Sequence, residues 1–363
     1  MSAAATRRVL IVKLGAIGDV VMAVPAAYAL HCEGYSVEWL CGKGVAPVLG
    51  LYPWIKVIAV DEQPLLRGSA AERFRAMRAV WKQMLGREYE LCATLYYDSR
   101  YAMLTWPVRA RRRVRLSWED RKRALLQGRR DTDEYVRILL GREDGETPQH
   151  IAPVEIEGLG AGVAGEDGGS RVVLVPGGAK NLLRDNPLRR WPLHNYVELA
   201  SRLIERRCEV VLIGGPDDAW VSSAFAGLGV RDAIGKLSLV ESVSLLGSAA
   251  VTVTHDTGPL HLAGITRTGI VAIFGPTSPY RFMPQRENCV ALWGGEGFAC
   301  RPCYDGRDFA PCKNNGCVQQ VTPEMVFVEV ERLMKAKREG NVLKPRVIVP
   351  EHTPLVHLGE AQR

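Results

Sequence analysis

The sequence predicts an α/β protein with two doubly wound parallel sheets, one in each of two domains. The chain has 363 residues, a length that suits two domains with a core each. Short apolar strands alternate with helical segments, which is typical of parallel sheets. The alternation stops in a Gly-, Glu- and Asp-rich segment at 141–170 and then restarts. We therefore predict domains at 1–155 and 168–335, followed by an extended tail at 340–363.

The first half of the chain alternates regularly between strand and helix patterns. Residues 7–14 (RRVLIVKL) predict a short buried strand, and the turn at 15–19 leads into a helix with an apolar face. This pattern favours a doubly wound sheet. Further strands are predicted at 37–41, 56–60, 91–97 and 112–116, and helices at 44–51, 72–85, 100–106 and 132–140.

The second half has the same rhythm and is organised around residues 251–279. That stretch predicts a strand, a tight turn, a helix and a second strand, with VTVT and GIVAIFG as the buried strands. Ligands bind beyond the carboxyl ends of strands in open α/β sheets, so the loops there should line one cleft. Other strands are predicted at 171–175 and 209–215, and helices at 193–206, 239–247 and 323–337.

The turn at 255–259 (HDTGP) is the first candidate ligand site. A strand-to-helix turn leaves backbone N–H groups unpaired at the positive end of the helix dipole, which suits a phosphate. A well-capped strand-to-helix connection without a ligand explains the same pattern equally well. Asp-Thr-Gly is also the active-site triplet of aspartic proteases. Those enzymes need two such loops in an all-β setting, so we exclude that class.

Composition and charge narrow the class of partner. The chain is 47% hydrophobic and 24% charged, as in ordinary soluble enzymes. Its net charge of +7 favours an anionic partner. No apolar run reaches the roughly 18 residues of a membrane span. Lys13 and Asp19 interrupt the N-terminal apolar stretch, which argues against a signal peptide. Nine scattered cysteines favour a reducing cytoplasm.

Three groups of motifs, in this order, resemble glycosyltransferase family 9, the ADP-heptose:lipopolysaccharide heptosyltransferase family. They are VLIVKLGAIGDVVMAVPA, then VPGGAKN with RRWPLHNYVELA, then THDTGPLHLAG with GIVAIFGPTSP. The likeness covers residues 8–335. It implies a GT-B fold, in which two Rossmann-like domains face a central cleft.

The resemblance also implies the activity and its partners. An inverting, metal-independent transfer would move a heptosyl or related residue from ADP-heptose, or a related nucleotide sugar, to a lipopolysaccharide core or similar glycolipid. The C-terminal domain would hold the donor, the N-terminal domain would present the acceptor, and no cofactor would be required. The enzyme would be cytoplasmic, with peripheral contact to the inner membrane face. Sparse aromatics and the lack of a binding module argue against nucleic acid as a partner.

Asp19 is the candidate catalytic base. An inverting transfer needs a carboxylate opposite the leaving group to take the proton of the acceptor hydroxyl. The Gly-Asp pair of the family corresponds to Gly18 and Asp19, which assigns this role to Asp19. A helix N-cap is the alternative role for an Asp after a Gly-rich turn. Lys13 either orients Asp19 or meets a phosphate, or it simply reaches solvent at the end of its strand.

The donor diphosphate is expected to lie on the turn at 255–259. Gly258 permits close backbone approach, Thr257 adds a hydroxyl donor, and His261 lies one helical turn further along the same face. Asp256 fixes the turn, since its charge would repel a diphosphate.

A second group of donor-binding candidates follows the strand at 171–175. It comprises Gly178, Lys180, Asn181 and Arg189, and its cations could stabilise the departing diphosphate without a metal. Many family members carry Lys two residues before the Trp, where this chain has Arg189. Solvated basic residues at a helix start are the alternative interpretation.

The densest run of basic residues covers 109–123 and includes Arg115. Together with Asp98 and Arg100, this run provides the candidate acceptor site. Such cations could meet phosphate and acidic sugars on a lipid-linked acceptor, or an anionic membrane face. A solvated edge strand with basic side chains on both sides explains the run equally well.

A cysteine cluster forms the last candidate site. Cys300, Cys303, Cys312 and Cys317 lie within 18 residues and begin with C-x-x-C, which is compatible with a structural zinc site. The spacing matches no standard finger, so free thiols or a redox-formed bridge in a surface loop are the alternatives.

Two other functions compete with glycosyl transfer. A sugar-nucleotide epimerase or hydrolase of the same architecture would consume donor without an acceptor. A non-catalytic nucleotide-sugar-binding protein would keep every measurable function after Asp19→Ala.

Overall fold

The protein contains two parallel sheets, each flanked by helices, in a computed structural model that describes residues 7–126, 128–142, 152–156 and 170–350. Both sheets have the strand orders of doubly wound folds, which confirms the predicted class. We call residues 7–142 the first lobe and residues 170–350 the second lobe. Most of the predicted crossing at 141–170 and the last part of the predicted tail, 351–363, lie outside the described residues.

The sheet of the first lobe has five parallel strands in the order β3-β2-β1-β4-β5. β1 lies at its centre and is almost wholly buried, which explains its continuous apolar sequence. The strand predicted at 112–116 begins at Arg109 in the structure. Its first residues pair with the start of β4 at the exposed edge of the sheet, so pairing extends the strand beyond its apolar pattern. The strands are β1 (Arg8–Val12), β2 (Ser36–Gly42), β3 (Ile55–Val60), β4 (Glu88–Thr94) and β5 (Arg109–Arg115).

Seven helices flank this sheet within the described part of the first lobe. The longest follows β1 and brings the predicted turn at 15–19 to the carboxyl edge of the sheet. Two short helices, at 62–66 and 118–123, are too brief to show a helical period and were not predicted. The helices are α1 (Ile17–Cys32), α2 (Ala46–Leu49), α3 (Glu62–Leu66), α4 (Ala70–Met84), α5 (Ser99–Met103), α6 (Trp118–Arg123) and α7 (Asp131–Leu140).

The sheet of the second lobe has seven parallel strands in the order β12-β11-β10-β9-β6-β7-β8. Its last strand, β12, pairs with β11 and comes from the region predicted as a tail; three residues give no strand signal on their own. The strands are β6 (Arg171–Val175), β7 (Glu209–Leu212), β8 (Arg231–Asp232), β9 (Val251–His255), β10 (Gly269–Phe274), β11 (Cys289–Trp293) and β12 (Arg346–Ile348).

The helices of the second lobe include the predicted one after the 255–259 turn. None of the helices in the described residues is long and apolar enough to cross a membrane. The α-helices are α8 (Leu193–Glu205), α9 (Leu239–Ser248), α10 (Gly258–Gly264), α11 (Pro279–Phe282), α12 (Gly316–Gln319) and α13 (Pro323–Arg338), and 3₁₀ helices cover Pro187–Arg189 and Pro216–Phe225.

The two lobes share apolar contacts and a connecting strap. Val21 and Val48 of the first lobe belong to a buried cluster that is otherwise made mainly by the second lobe. Residues 152–156 bond to both lobes: the Tyr52 hydroxyl donates to the Val154 carbonyl at 2.9 Å, and the Ile156 N–H donates to the Ile265 carbonyl at 3.0 Å. These contacts hold the carboxyl edges of the two sheets on one shared junction.

Candidate active site

The starts of helices α1 and α10 meet at the junction of the lobes. A Cβ atom added to Gly18 would lie only 2.5 Å from Cδ2 of His261. On the other helix, a Cβ added to Gly258 would lie 3.6 Å from Cβ of Ile17. The structure therefore brings together Gly18 and Asp19 from one lobe and Gly258 and His261 from the other.

We expect Gly18→Ala to be destabilising, although alanine is the better helix former. In an exposed helix, replacing glycine by alanine stabilises the helix by about 1 kcal/mol. Here its methyl group would overlap the buried His261 ring, and overpacking of this kind costs about 1–3 kcal/mol. Chemical denaturation should show a loss of unfolding free energy in Gly18→Ala.

The matched control is Gly50→Ala, where the nearest atom would lie 3.4 Å from the new Cβ. It should be neutral or slightly stabilising. Equal stability of Gly18→Ala and the wild-type chain would show that the two helix starts are not in close contact.

Asp19 projects from the first turn of α1, and its side chain is 26% exposed. The N-cap of α1 is Ala16, which makes no side-chain capping bond, so the alternative role of Asp19 as the N-cap is wrong. Its carboxylate Oδ2 lies 3.4 Å from Nζ of Lys13. Asp19 is thus a partly exposed carboxylate held at the junction by a buried cation.

Lys13 is almost completely buried, which excludes the alternative that it reaches solvent. Burial lowers the pKa of its ammonium group, and the Asp19 carboxylate opposes that shift. The Nζ atom also lies 5.0 Å from the ring centre of Tyr96 and 5.5 Å from that of Tyr135. A lysine fixed by burial and by two rings limits how its Asp19 partner can orient.

A buried cluster of charges connects the lobes behind these helix starts. Asp131 at the start of α7 accepts from Nε of Arg281 at 2.5 Å and from a terminal nitrogen of Arg121 at 2.9 Å. Arg281 belongs to α11 of the second lobe, whereas Arg121 belongs to α6 of the first lobe. Arg121 also donates to the Tyr304 hydroxyl at 3.0 Å. We call these four residues the interlobe cluster.

The electrostatics of Asp131 explain how a carboxylate remains charged in this position. Burial opposes its ionisation, but the charges of Arg281 and Arg121 outweigh burial and hold its pKa at about 2. Sequence reasoning missed Asp131 and Arg281, because Asp131 is one of three acidic residues in the first turn of α7 and Arg281 is an isolated cation on a helix of four residues. Arg121 was assigned to the basic acceptor run, but the structure pairs it within the protein.

Thr257 is the N-cap residue of α10 and contacts the loop that follows β6. Its Oγ1 accepts from the Ala179 N–H at 2.9 Å, which leaves the hydroxyl hydrogen without a partner among the described residues. Gly178 has a φ of +83°, and a Cβ there would lie 2.8 Å from Oγ1 of Thr257. Only glycine satisfies both the left-handed backbone and the close approach. The loops of Gly178 and Thr257 therefore form one surface.

Asp218 ties together the two glycine loops of the second lobe. Its Oδ1 accepts from the Gly178 N–H at 2.7 Å, and its Oδ2 accepts from the Gly215 N–H at 2.8 Å. A Cβ at Gly177 or Gly214 would fall within 3 Å of the same carboxylate. Sequence reasoning noted the glycines but missed Asp218, although a carboxylate three residues after Gly215 is a recognisable capping signal.

Asp256 and Arg189 face each other within the second lobe. Asp256 is buried; its Oδ2 accepts from the Thr277 hydroxyl at 2.8 Å and from Arg189 at 3.3 Å. The Nε of Arg189 is buried and has no hydrogen-bond partner within the described residues. Asp256 is thus bonded inside the turn, while Arg189 retains an unused donor beside it.

The other two donor candidates in this loop have partners of their own. The Lys180 ammonium lies 2.7 Å from the exposed carboxylate of Asp217 and is itself 47% exposed. Asn181 accepts from the N–H groups of Leu183 and Arg184, both at 2.9 Å. Asn181 therefore shapes its own turn, and Lys180 lies at the solvent-exposed rim.

The candidate acceptor residues lie at α5, which follows β4, and at the end of β5. Asp98 caps α5 and binds Arg100 at 2.6 Å; hydrogen bonding by Arg100 lowers the pKa of this carboxyl group. The side chain of Arg115 is exposed on β5 and makes no hydrogen bond or ion pair in the part of the chain that the structure describes. Elsewhere in the basic run, Arg112 and Arg113 donate to backbone carbonyls. The run thus contains structural as well as exposed arginines.

The four cysteines of the predicted zinc site are free thiols. Burial, assisted by the neighbouring thiols, raises the pKa of Cys317 to about 12 and also raises that of Cys303. Among the described residues, no group of three or more Cys, His, Asp or Glu side chains is placed to hold a metal ion. A zinc site at these cysteines therefore stays a prediction from their spacing.

Two Rossmann-like lobes that meet at the carboxyl edges of their sheets define the GT-B class of glycosyltransferase folds. A solved structure of Escherichia coli ADP-heptose lps heptosyltransferase II has this fold, with a TM-score of 0.68 at 18% identity over 91% of this chain and 99% of that one. The model of glycosyltransferase family 9 (heptosyltransferase) matches residues 170–313. The family model thus matches most of the second lobe, in agreement with the resemblance of the motifs there.

Relatives match the chain to different extents. Lipooligosaccharide heptosyltransferase 2 of Haemophilus influenzae is 29% identical over 41% of this chain, and the match spans only 44% of that relative's length. Lipopolysaccharide heptosyltransferase 1 of Pseudomonas aeruginosa is 24% identical over 91% of this chain and 98% of its own length.

Proposed function

We propose that this chain is an inverting, metal-independent glycosyltransferase that moves a heptosyl or closely related residue from an ADP-sugar to a lipopolysaccharide core or similar glycolipid. The observation that carries the proposal is the contact of two helix starts, one with the carboxylate of Asp19 and the other with the Thr257 turn. An inverting transfer requires a base on the face of the sugar opposite the leaving diphosphate, and the two helix starts would supply these groups from either side of the junction. The similarity to heptosyltransferases of lipopolysaccharide supplies the sugar and acceptor classes.

Asp19 acts as the base in this mechanism. The acceptor hydroxyl approaches the anomeric carbon on the face opposite the diphosphate, and its proton passes to the Asp19 carboxylate as the new C–O bond forms. The bond between the anomeric carbon and the diphosphate oxygen breaks with its electron pair, which inverts the anomeric centre. Lys13 holds Oδ2 at 3.4 Å and so keeps the carboxylate directed toward the junction.

The second lobe stabilises the diphosphate as negative charge develops on it. The unpartnered hydroxyl hydrogen of Thr257 and the backbone at Gly258 provide donors beside the turn. Arg189 adds a positive charge and an unused Nε–H, which can act without a metal ion. Burial lowers the pKa of His261, so its ring is neutral at neutral pH and contributes a hydrogen bond rather than a charge.

A thermal-shift panel with ADP, GDP, UDP and dTDP, followed by a transfer assay with ADP-heptose, tests this function. A ligand at 100 times its Kd stabilises the folded state by about 2.7 kcal/mol. Because the proposed donor is an ADP-sugar, ADP should raise Tm in this way, and the other three nucleotides should leave it unchanged. Transfer should need a glycolipid acceptor and persist in EDTA. A nucleotide preference other than adenine, or ADP-heptose consumption without acceptor, would overturn the proposed reaction.

The acceptor class also locates the proposed reaction. A lipid-linked core oligosaccharide is held at a membrane, so we propose a cytoplasmic enzyme in peripheral contact with the inner membrane face. Cell fractionation with and without high salt measures this distribution. Release from the membrane fraction by salt is the expected result for a peripheral protein of net charge +7.

A further inference from the structure

Large apolar side chains are exposed on one surface of the first lobe. Phe74 and Leu85, at α4 and its C-cap, are 61% and 73% exposed, while Met103 and Trp106, at and after α5, are 51% and 75% exposed. Isolated apolar residues are normal on protein surfaces, but contiguous ones indicate a contact. We call Phe74, Trp81, Leu85, Met103 and Trp106 the aromatic ridge.

The ridge is continuous across two helices. Phe74, Trp81 and Leu85 follow one another at spacings of seven and four residues, which places them on one face of a helix. The indole N–H of Trp81 donates to the Met103 carbonyl at 2.8 Å, and the rings of Trp81 and Trp106 are 5.4 Å apart. These contacts join the α4 stripe to α5 and hold Trp106 in an exposed position.

A row of cations flanks the ridge on α4. Arg75, Arg78 and Lys82 project between the ridge and the solvent side of the helix, and none of them forms an ion pair within the described residues. The acidic residue in the first turn, Glu72, is bonded to Ser69 in a capping box. Helix α4 buries only Val80 and Met84, so most of its surface faces outward. We call Arg75, Arg78 and Lys82 the basic flank.

Aromatic side chains beside unpaired cations match the chemistry of an anionic lipid surface. Trp and Phe occupy the boundary between headgroups and acyl chains, and each nearby cation adds favourable interaction with anionic headgroups. A protein partner buried against the ridge would have to supply acidic groups opposite the basic flank. A second copy of this chain would instead place two basic flanks together, which is unfavourable.

Aromatic rings inside the first lobe connect α5 to the proposed base. The Tyr101 ring, on α5, lies 4.6 Å from that of Tyr96, and Tyr96 lies beneath the ammonium group of Lys13. Lys13 in turn pairs with Asp19. This connection runs through the interior of the lobe, because Tyr101 is buried; Leu85 and Trp106 lie beside the amino-terminal ends of β4 and β5, at the edge of the sheet opposite the junction.

We propose that the aromatic ridge and the basic flank dock the first lobe onto an anionic bilayer. Phe74, Leu85 and Trp106 enter the interfacial layer while the basic flank contacts lipid phosphates. The proposal rests on the proposed function only for the identity of that bilayer, the inner membrane face.

Vesicle flotation of the full chain tests the proposal directly. The chain should float with vesicles of phosphatidylethanolamine and phosphatidylglycerol, bind weakly to phosphatidylcholine vesicles, and lose binding at high salt. Phe74→Ser with Trp106→Ser should reduce partitioning by roughly tenfold or more, because each large apolar group contributes at least that factor on burial. Arg75→Gln, Arg78→Gln and Lys82→Gln together should weaken binding to anionic vesicles only.

The matched control is Val328→Ser with Lys335→Gln on α13, where Val328 is 48% exposed. It should bind vesicles like the wild-type chain. Vesicle binding that is unchanged in the ridge variant overturns the proposal, as does self-association that is lost in the same variant. The assay contains no sugar donor, so its result is independent of whether the chain transfers heptose.

Discussion

Asp19→Asn is expected to lower kcat for sugar transfer by about 10²–10⁴-fold, the usual contribution of a positioned general base. Asparagine keeps the size of the side chain and removes its capacity to accept the acceptor proton. Because Asp19 lies on the opposite lobe from the Thr257 turn, the Kd for ADP should stay close to that of the wild-type chain. Initial rates with saturating donor and acceptor, together with calorimetric titration of ADP, measure both quantities.

A matched control for this variant is Asp61→Asn in the same lobe. Asp61 caps α3, is about half exposed and pairs only loosely with Lys43 at 3.7 Å. Its replacement should leave kcat near the wild-type value. If Asp19→Asn retained full turnover, another group would have to accept the proton, and the assignment of the base would fail.

Asp131→Asn is expected to reduce the free energy of unfolding by about 3–5 kcal/mol, the usual cost of removing one partner of a buried ion pair. The substitution leaves Arg281 and Arg121 buried without their shared carboxylate. Replacing Glu324, which pairs with Arg202 on the surface, by glutamine should cost at most about 1 kcal/mol. Chemical denaturation of the two variants gives the comparison.

The pH dependence of stability provides a separate signature of Asp131. Its folded pKa of about 2 is below the ordinary aspartate value of about 3.9, so its stabilising contribution is present above pH 4. That contribution is lost as the pH falls from about 4 to about 2 and amounts to on the order of 2 kcal/mol. The acid-induced slope should therefore be shallower in Asp131→Asn. Parallel slopes would contradict the assignment.

The fold was largely predictable because buried parallel strands have a strong local signature. β1, β6 and β9 are central, and their continuous apolar runs identify them without tertiary information. β8 and β12 have two and three residues, and their pairing with longer neighbours is what makes them strands. Such elements cannot be found from a local pattern, since tertiary contacts determine them.

The site was only partly predictable, for a related reason. Turn residues such as Gly18, Asp19 and Thr257 stand in motifs whose spacing has a direct physical meaning. Asp131 and Arg281 are 150 residues apart and become partners only when the lobes meet. Their contact depends on the relative placement of two sheets, and a single sequence contains no periodic signal for that placement.

The basic run at 109–123 shows how charge alone misleads. Its density suggested one anionic binding surface, but Arg113 and Arg121 are engaged inside the first lobe and at the interlobe cluster. Helix α4, whose cations are more widely spaced, leaves them unpaired beside exposed aromatics. The partners of each charge, rather than the number of charges, distinguish a binding surface from a structural network.

A crystal structure of the chain with an unreactive ADP-sugar analogue tests the central claim most directly. We predict that the diphosphate binds to the Thr257 hydroxyl and the Gly258 backbone, and that the Asp19 carboxylate faces the anomeric carbon from the opposite side. A water or acceptor oxygen should fit between them, about 3–3.5 Å from the carbon. A diphosphate bound away from the Thr257 turn, or an anomeric carbon turned away from Asp19, would contradict it.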